Sequence, residues 1–304
     1  MMKSIVVTGA TSFIGHALVK KLLNNKCAVH AIVRPNSQNI SVLDACPDVH
    51  IIFLDINNVD KISECGIDSD YFYHLSWKGI GQRGRSDFNL QQENIKDALK
   101  CIEAASTIGC KTFIFAGSQA EYGPYNGIYY EHIPCNPVIE YGKAKLKVLE
   151  CGQQLASNLG MTYIHARIFS VYGAEDHPWT LVSYCIDRLT RGLDLELSEC
   201  TQLWNYLYID DAAEAIVALS DMRHRDDPVF NIASKDTRPL KEFVQIIYEM
   251  TGCAGKLLFG KHTGSIEKPM DLVPCIDKIV CSTGWLPKTT FENGIYSILN
   301  LRKY

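Results

Sequence analysis

Tyr141 and Lys145 stand four residues apart at the start of a run in which Ala144, Val148, Cys151, Leu155 and Leu159 recur at spacings of three and four. That period predicts a helix, on which residues four apart lie one above the other on the same side. A tyrosine is a weak acid at neutral pH, its ordinary pKa being about 10. A lysine ammonium held within about 4–6 Å favours the phenolate and lowers that value. Ser118 lies earlier, opening the stretch Ser118-Gln119-Ala120-Glu121-Tyr122-Gly123. A hydroxyl brought to the phenol from there would share a substrate oxygen with it. Together the three groups can hand a proton to a carbonyl oxygen while something else delivers hydride to its carbon. Tyr-x-x-x-Lys alone also fits an exposed helical pair, so its weight depends on the elements around it.

Those elements follow in order. Ile5-Val6-Val7 is a β-branched run, Thr8-Gly9-Ala10-Thr11-Ser12-Phe13-Ile14-Gly15 comes at once, and Ile14, Leu18 and Leu22 then form a helical stripe. Strand, glycine turn and helix together make a dinucleotide site, in which the free N–H groups and dipole of the helix N-terminus meet a pyrophosphate. Gly9 would make the tight turn and Gly15 would let the helix approach the strand, while Ser12 stands where a third glycine is often found. The plain alternative is an ordinary βα turn. A second strand, Ala28–Val33, ends in Arg34-Pro35-Asn36-Ser37. NAD-binding chains usually offer Asp or Glu to the ribose hydroxyls there. Arg34 and Ser37 suit instead the extra phosphate of NADP; otherwise Arg34 is a solvated loop residue.

His50–Leu54 reads as a third strand, after which Asp55-Ile56 would contact the adenine, or Asp55 would cap the following helix. Tyr71–Leu75 is a fourth strand, leading to Ser76-Trp77. The glycine-rich, basic loop Gly79–Arg85 either folds over a phosphate-bearing substrate or is a flexible link. A long helix is expected from about 86 to 108, with Ile95, Leu99, Ile102 and Ala105 on one face. Lys111–Ala116 is a fifth strand with Ser118 at its C-terminal end, where open parallel sheets bind ligands. The tyrosine helix and a sixth strand, Thr162–Ile168, follow. A helix over about 180–191, the stretch Gln202–Asp211, a helix from Asp210 to about Leu219 and an apolar segment, Val229–Ala233, returning to the sheet come next. Short helices and turns fill the remainder.

The 304 residues are 47% apolar and 21% charged, an ordinary globular balance. A net charge of −4 gives no support for a nucleic-acid or membrane surface. The N-terminus lacks the apolar run of a signal peptide, and no stretch reaches transmembrane length, so a cytoplasmic protein is expected. Twelve cysteines occur without any C-x-x-C, and nine histidines without H-x-x-x-H. These spacings predict a reduced, buried thiol set and no metal site.

The glycine turn, the alternating elements, Ser118, Tyr141 and Lys145 resemble the extended short-chain dehydrogenase/reductase family, and within it the nucleotide-sugar epimerase, dehydratase and reductase group. The resemblance implies a doubly wound, Rossmann-type parallel α/β sheet with a smaller C-terminal α/β substrate lobe. Residues 1–172, with about 205–234 returning, would bind NADP (NAD as the alternative), and 173–204 and 235–304 would bind a nucleotide sugar. It places Thr8, Gly9, Ser12, Phe13, Ile14 and Gly15 at the cofactor turn, with Arg34 and Ser37 beyond it. Asp55 and Ile56 would lie beside the adenine, Leu75 and Ser76 along the nicotinamide half, and Tyr141 and Lys145 would touch the cofactor too. Asn94 matches the family's helix asparagine. Ser118, Tyr141 and Lys145 match the catalytic trio. Substrate contacts fall to Trp77, Gln119, Ser170 and Trp204, with Ser170 standing where asparagine is more usual. The 4,6-dehydratases of the group carry Asp and Glu directly after the catalytic hydroxyl residue. Gln119 and Ala120 stand there in this chain, and neither transfers a proton. Reduction of a 4-keto-6-deoxy sugar is then the expected activity, with 4-epimerisation as the alternative and a non-catalytic NADP-binding sensor as a third reading. The helices at 86–108 and 141–159 would pair two subunits as a homodimer.

Overall fold

In the first strand, β1 (Ser4–Thr8), Ile5 and Val7 enter one apolar cluster and Val6 another, as the two-residue period of a strand requires. The same division separates Tyr73 from Phe72, Ile114 from Phe113 and Phe115, and Ile164 from Tyr163. Strands apolar on both faces belong in the middle of a layered α/β fold. With β2 (Ala28–Val33), β3 (His50–Phe53), β4 (Tyr71–His74), β5 (Thr112–Ser118), β6 (Thr162–Ile168) and β7 (Val229–Ile232), β1 forms one parallel sheet in the order β7-β6-β5-β4-β1-β2-β3. The computed structural model describes residues 3–220, 227–261 and 270–301. Met1, Met2 and residues 221–226, 262–269 and 302–304 lie outside these, 221–226 in the expected returning part of the cofactor domain and the last two stretches in the expected C-terminal lobe.

The chain leaves β1 toward β2 and β3 on one side and resumes at β4 on the other. This reversal opens a crevice beyond the carboxyl ends of β1 and β4. Helices α1 (Phe13–Asn24) and α5 (Ile209–Ser220) contribute Leu18, Val19, Leu22, Ile216 and Leu219 to one side of the sheet, and α2 (Phe88–Thr107) and α3 (Glu140–Asn158) cover the other. The architecture is a doubly wound α/β sheet of Rossmann type. A third cluster joins α4 (Leu181–Thr190), α6 (Leu240–Met250) and α8 (Phe291–Leu301) into a smaller C-terminal lobe, with α7 (Asp277–Thr283) packed by Ile279 under the sheet. The Tyr172 hydroxyl ties the two parts, donating to the Phe291 carbonyl at 3.2 Å.

Two helices differ in detail from their sequence patterns. On α3 the buried residues include Gly142, Ala144, Val148, Gly152 and Ala156, whereas Cys151 and Leu155 sit half-buried at its flank and Leu159 is exposed. Small residues win because α2 comes close: a Cβ on Gly152 would meet Ile102 Cδ1 at 2.9 Å. On α2 the buried stripe includes two amides, Gln91 and Asn94, N-terminal to its apolar members, while Leu99 is only half-buried. The thiols are free as expected, but not uniformly buried, since Cys65, Cys253 and Cys281 are exposed. Among the described residues no helix is long and apolar enough to cross a membrane.

Candidate active site

The β1–α1 turn leaves no room for side chains. Gly9 has φ +72°, and a Cβ there would lie 2.7 Å from the Ser76 amide nitrogen at the end of β4. A Cβ on Gly15 would run into the Gly9 carbonyl. Ser12 caps α1, its Oγ accepting from Gly15 N at 3.2 Å. The remaining free amides of the first turn face a cleft of about 680 Å³ along the sheet edge. Such a cradle, with helix amides and no Cβ, fits the pyrophosphate of a dinucleotide.

Crossing the sheet, the cleft meets Arg34 after β2, Gly9, Ser12, Phe13 and Ile14 after β1, and Leu75, Ser76 and Trp77 after β4. It continues past Ser118 and Gln119 at β5 to Tyr141, Lys145 and, beyond β6, Ser170; Ile56 joins it from the segment after β3. Other expected residues stand behind this lining. Thr8 is buried, its Oγ1 2.8 Å from His74 Nδ1 and accepting from Ser76 N at 3.3 Å, which fastens β1 to β4. Ser37 Oγ lies 3.5 Å from Thr11 Oγ1. Asp55 caps the following 3₁₀ helix, accepting from Asn57 N at 3.0 Å. Trp204 is outside the cleft lining; it packs where the sheet core and the C-terminal lobe meet, 6.5 Å from the Tyr206 ring.

Ser118 is the last residue of β5, two residues beyond the expected strand end. Its Oγ accepts from Ala120 N at 3.2 Å, which leaves its own O–H to the neighbouring Tyr141 phenol. Tyr141 begins α3, where Gly142 packs so tightly on Ala120 that no side chain would fit. Lys145, one turn on, is 3% exposed; its Nζ donates to the Ala116 carbonyl at 2.7 Å and sits 3.7 Å from the centre of the Trp77 ring. Burial brings Lys145 down to about 7, with the Glu121 charge pulling it back up. Burial also pushes Tyr141 up rather than down. The strongest opposing influence is Arg85, followed by hydrogen bonding from Ser118. An arginine outside the expected site residues thus joins the lysine at the phenol: its guanidinium carbon lies 4.6 Å from the Tyr141 ring centre, against 5.7 Å for Lys145 Nζ.

Arg85 arrives on the basic loop, which is no loose link. It forms a helical turn, Gln82–Arg85, pinned by the two buried amides of α2. Asn94 accepts from Lys78 N at 3.0 Å and donates to Lys78 O at 2.9 Å. Gln91 accepts from the Trp77 indole at 2.9 Å and donates to Gly84 O at 2.9 Å. Lys78, Ile80, Arg85, Asp176 and His177 also line the cleft and were not among the expected site residues. The available signal was Gln91 and Asn94, polar residues three apart that continue the buried stripe of α2.

Glu121, three residues after Ser118, is fully buried and faces inward. Its Oε1 accepts from Ser118 N at 2.7 Å, Arg167 Nε donates to Oε2 at 2.8 Å, and His165 Nε2 is 2.9 Å away. Burial would raise this carboxyl, but His165 and Arg167 outweigh it and hold the group at about 2. Burial lowers His165 itself, so Arg167, whose guanidinium stays protonated, carries the compensating charge.

A protein-family comparison matches residues 5–233 to the NAD dependent epimerase/dehydratase family. The chain belongs to this family. It is an NAD(P)-dependent enzyme of the epimerase/dehydratase type. The CDP-abequose synthase of Salmonella muenchen is 21% identical over 99% of this chain and 98% of its own. The UDP-glucose 4-epimerase of Corynebacterium glutamicum is 24% identical over 94% and 91%. In fold, the chain superposes on the UDP-glucuronic acid 4-epimerase of Bacillus cereus, solved in complex with UDP-glucuronic acid and NAD, with a TM-score of 0.84 over 99% and 100% of the two chains at 22% identity.

Proposed function

We propose that this enzyme is an NADPH-dependent reductase of a nucleotide-linked 4-keto-6-deoxy sugar. The observation that carries the reading is the cleft end itself: Ser118, Tyr141 and Lys145 converge there, while the nearby carboxylate, Glu121, is locked inward by Arg167. Gln119 and Ala120, directly after Ser118, carry no carboxyl for elimination, which suits reduction over dehydration. Similarity to a CDP-abequose synthase agrees with a deoxysugar substrate.

Gly9, Ser12, Phe13, Ile14, Leu75, Ser76, Tyr141 and Lys145 would hold the dinucleotide, and Arg34 the 2′-phosphate of NADP. When bound, its nicotinamide supplies hydride to C4 of the sugar. Ser118 donates a hydrogen bond to the ketone oxygen and orients it. Tyr141 gives that oxygen its proton, and solvent restores the phenol. Trp77, Gln119 and Ser170 would flank the sugar. Residues 1–172 with about 205–234 serve as the cofactor domain, 173–204 and 235–304 as the nucleotide-sugar lobe, in a cytoplasmic homodimer paired through α2 and α3.

Resemblance to a UDP-glucose 4-epimerase favours 4-epimerisation as the second reading, which uses the same three side chains. Stoichiometry separates the two. Incubation with NADPH and a panel of 4-keto-6-deoxy nucleotide sugars should oxidise one cofactor per product, read from nicotinamide absorbance. If no keto sugar consumes NADPH, while a hexose nucleotide is converted to its 4-epimer without added cofactor, epimerisation replaces reduction.

A further inference from the structure

Arg85 is not one of the three residues that carry the family chemistry, yet it sits on the phenol. Its guanidinium carbon lies 4.6 Å from the Tyr141 ring centre, within the roughly 6 Å over which a cation is attracted to an aromatic face. Lys145 Nζ is farther, at 5.7 Å, and is engaged with Ala116 O and the Trp77 ring. The arginine is also held. Gln91, 1% exposed, bonds Gly84 O on one side and the Trp77 indole on the other, and Trp77 meets the Tyr141 ring edge-on at 6.1 Å. Arg85 Nε is buried with no hydrogen-bond partner among the described residues.

We propose that Arg85, clamped through Gln91, is a second cation at the phenol beside Lys145 and stabilises the phenolate left on Tyr141 after proton transfer. In that step the phenolic O–H bond breaks and its electron pair stays on the Tyr141 oxygen. The proton passes to the substrate alkoxide, making a hydroxyl, and solvent later returns a proton to the phenolate. The assignment rests on Tyr141 being the proton donor.

Burial lowers Lys145, which weakens the ammonium as a cation at the phenol. A guanidinium keeps its charge throughout. The groups bearing on the phenol are Arg85, Ser118 and, 5.7 Å from the ring centre, Lys145, which favour the phenolate, and Glu121, which opposes it.

Replacing Tyr141 by 3-fluorotyrosine in the full chain gives a more acidic phenol whose titration is read by fluorine NMR. Arg85→Gln in that background should raise the midpoint by roughly one pH unit or more, as expected for losing an opposite charge at this distance. Arg85→Lys should restore part of the shift. Gln91→Met leaves the charge but cuts both tethers, and should raise the midpoint by less; it also serves if the glutamine variant fails to fold. An unchanged midpoint in Arg85→Gln, or in Gln91→Met if that is the folded variant, overturns the role. The titration needs neither cofactor nor sugar, so it stands or falls separately from the keto-sugar assay.

Discussion

The two ends of the cleft are built from different materials. At the β1 end the recognition surface is backbone: Gly9 at φ +72°, Gly15 against the Gly9 carbonyl, and the capped first turn of α1. At the β5 end it is side chains: Tyr141 stacked by Arg85, met edge-on by Trp77 and approached by Lys145, with the loop above held by Gln91 and Asn94. Backbone amides have fixed positions and no titration, which suits a ligand whose phosphates never change charge. Side chains in a dry pocket shift in acid strength, which suits a step that moves a proton. Binding and proton transfer should therefore be separable by mutation.

The sharpest break is Tyr141→Phe. Turnover on the true substrate should fall by about 10²–10⁴-fold, the range for losing a general acid, while unfolding stability stays near wild type and dinucleotide affinity, to which the phenol adds one contact among several, falls far less. Steady-state rates beside a cofactor titration test this. Near-normal turnover would remove the division between the two ends.

Next in size is Glu121→Gln, which probes what lies beneath Ser118 rather than the cleft. It leaves Arg167, 2% exposed, without a buried countercharge. Removing one partner of such a pair costs about 3–5 kcal/mol. The folded state holds the Glu121 carboxyl at about 2, below its ordinary 4.5, so its contribution is complete above 4.5 and fades as pH falls through 2. Denaturant unfolding of wild type and variant should show a gap at neutral pH that narrows across that acid window. A constant gap would show that packing, not charge, holds Ser118 in place.

What the sequence made legible follows the same contrast. The β1–α1 turn is one continuous stretch, strand to glycine to helix, and its local pattern carries its shape. Tyr141 and Lys145 share a helix turn and Ser118 ends a strand, so their meeting at one end of the cleft was readable too. The control of Tyr141 was not. Arg85 acts across 56 residues of chain, through a loop whose shape depends on Gln91 and Asn94 being buried. Apolar periodicity counts a glutamine as solvent-facing, so it missed that arrangement and left Arg85 out of the expected site. Trp204, in a segment resembling a substrate-facing one, packs where the two lobes join and stands outside the cleft lining.

At the backbone end, the exposed Arg34 is the side chain expected to choose the cofactor. A charge-assisted contact to the 2′-phosphate contributes about 1.5–3 kcal/mol, so NADPH should bind roughly ten- to a hundredfold better than NADH. Exposure at the cleft rim favours the lower part of that range. Titrating both cofactors against wild type and Arg34→Ala should show the preference vanish in the variant. Equal affinities in wild type would leave the site cofactor-neutral and move the balance from reductase toward epimerase.

The smallest expected effect decides what Asp55 does. Its carboxylate accepts from Asn57 N at 3.0 Å and caps the 3₁₀ helix Ile56–Cys65, while the neighbouring Ile56 lines the cleft. If capping is its whole role, Asp55→Ala should cost about 1 kcal/mol of stability, the usual loss for an N-cap, and leave dinucleotide affinity unchanged. If Asp55 also holds the adenine, affinity should fall while the stability loss stays the same. Asp55→Asn is the discriminating variant, because asparagine caps about as well as aspartate but its amide lacks the negative charge and second acceptor oxygen of the carboxylate. Stability kept and affinity lost in Asp55→Asn would make Asp55 a cofactor ligand, and with it the first side chain at this end, besides Arg34, that the backbone cradle depends on. Both kept would leave the adenine to Ile56 and the main chain.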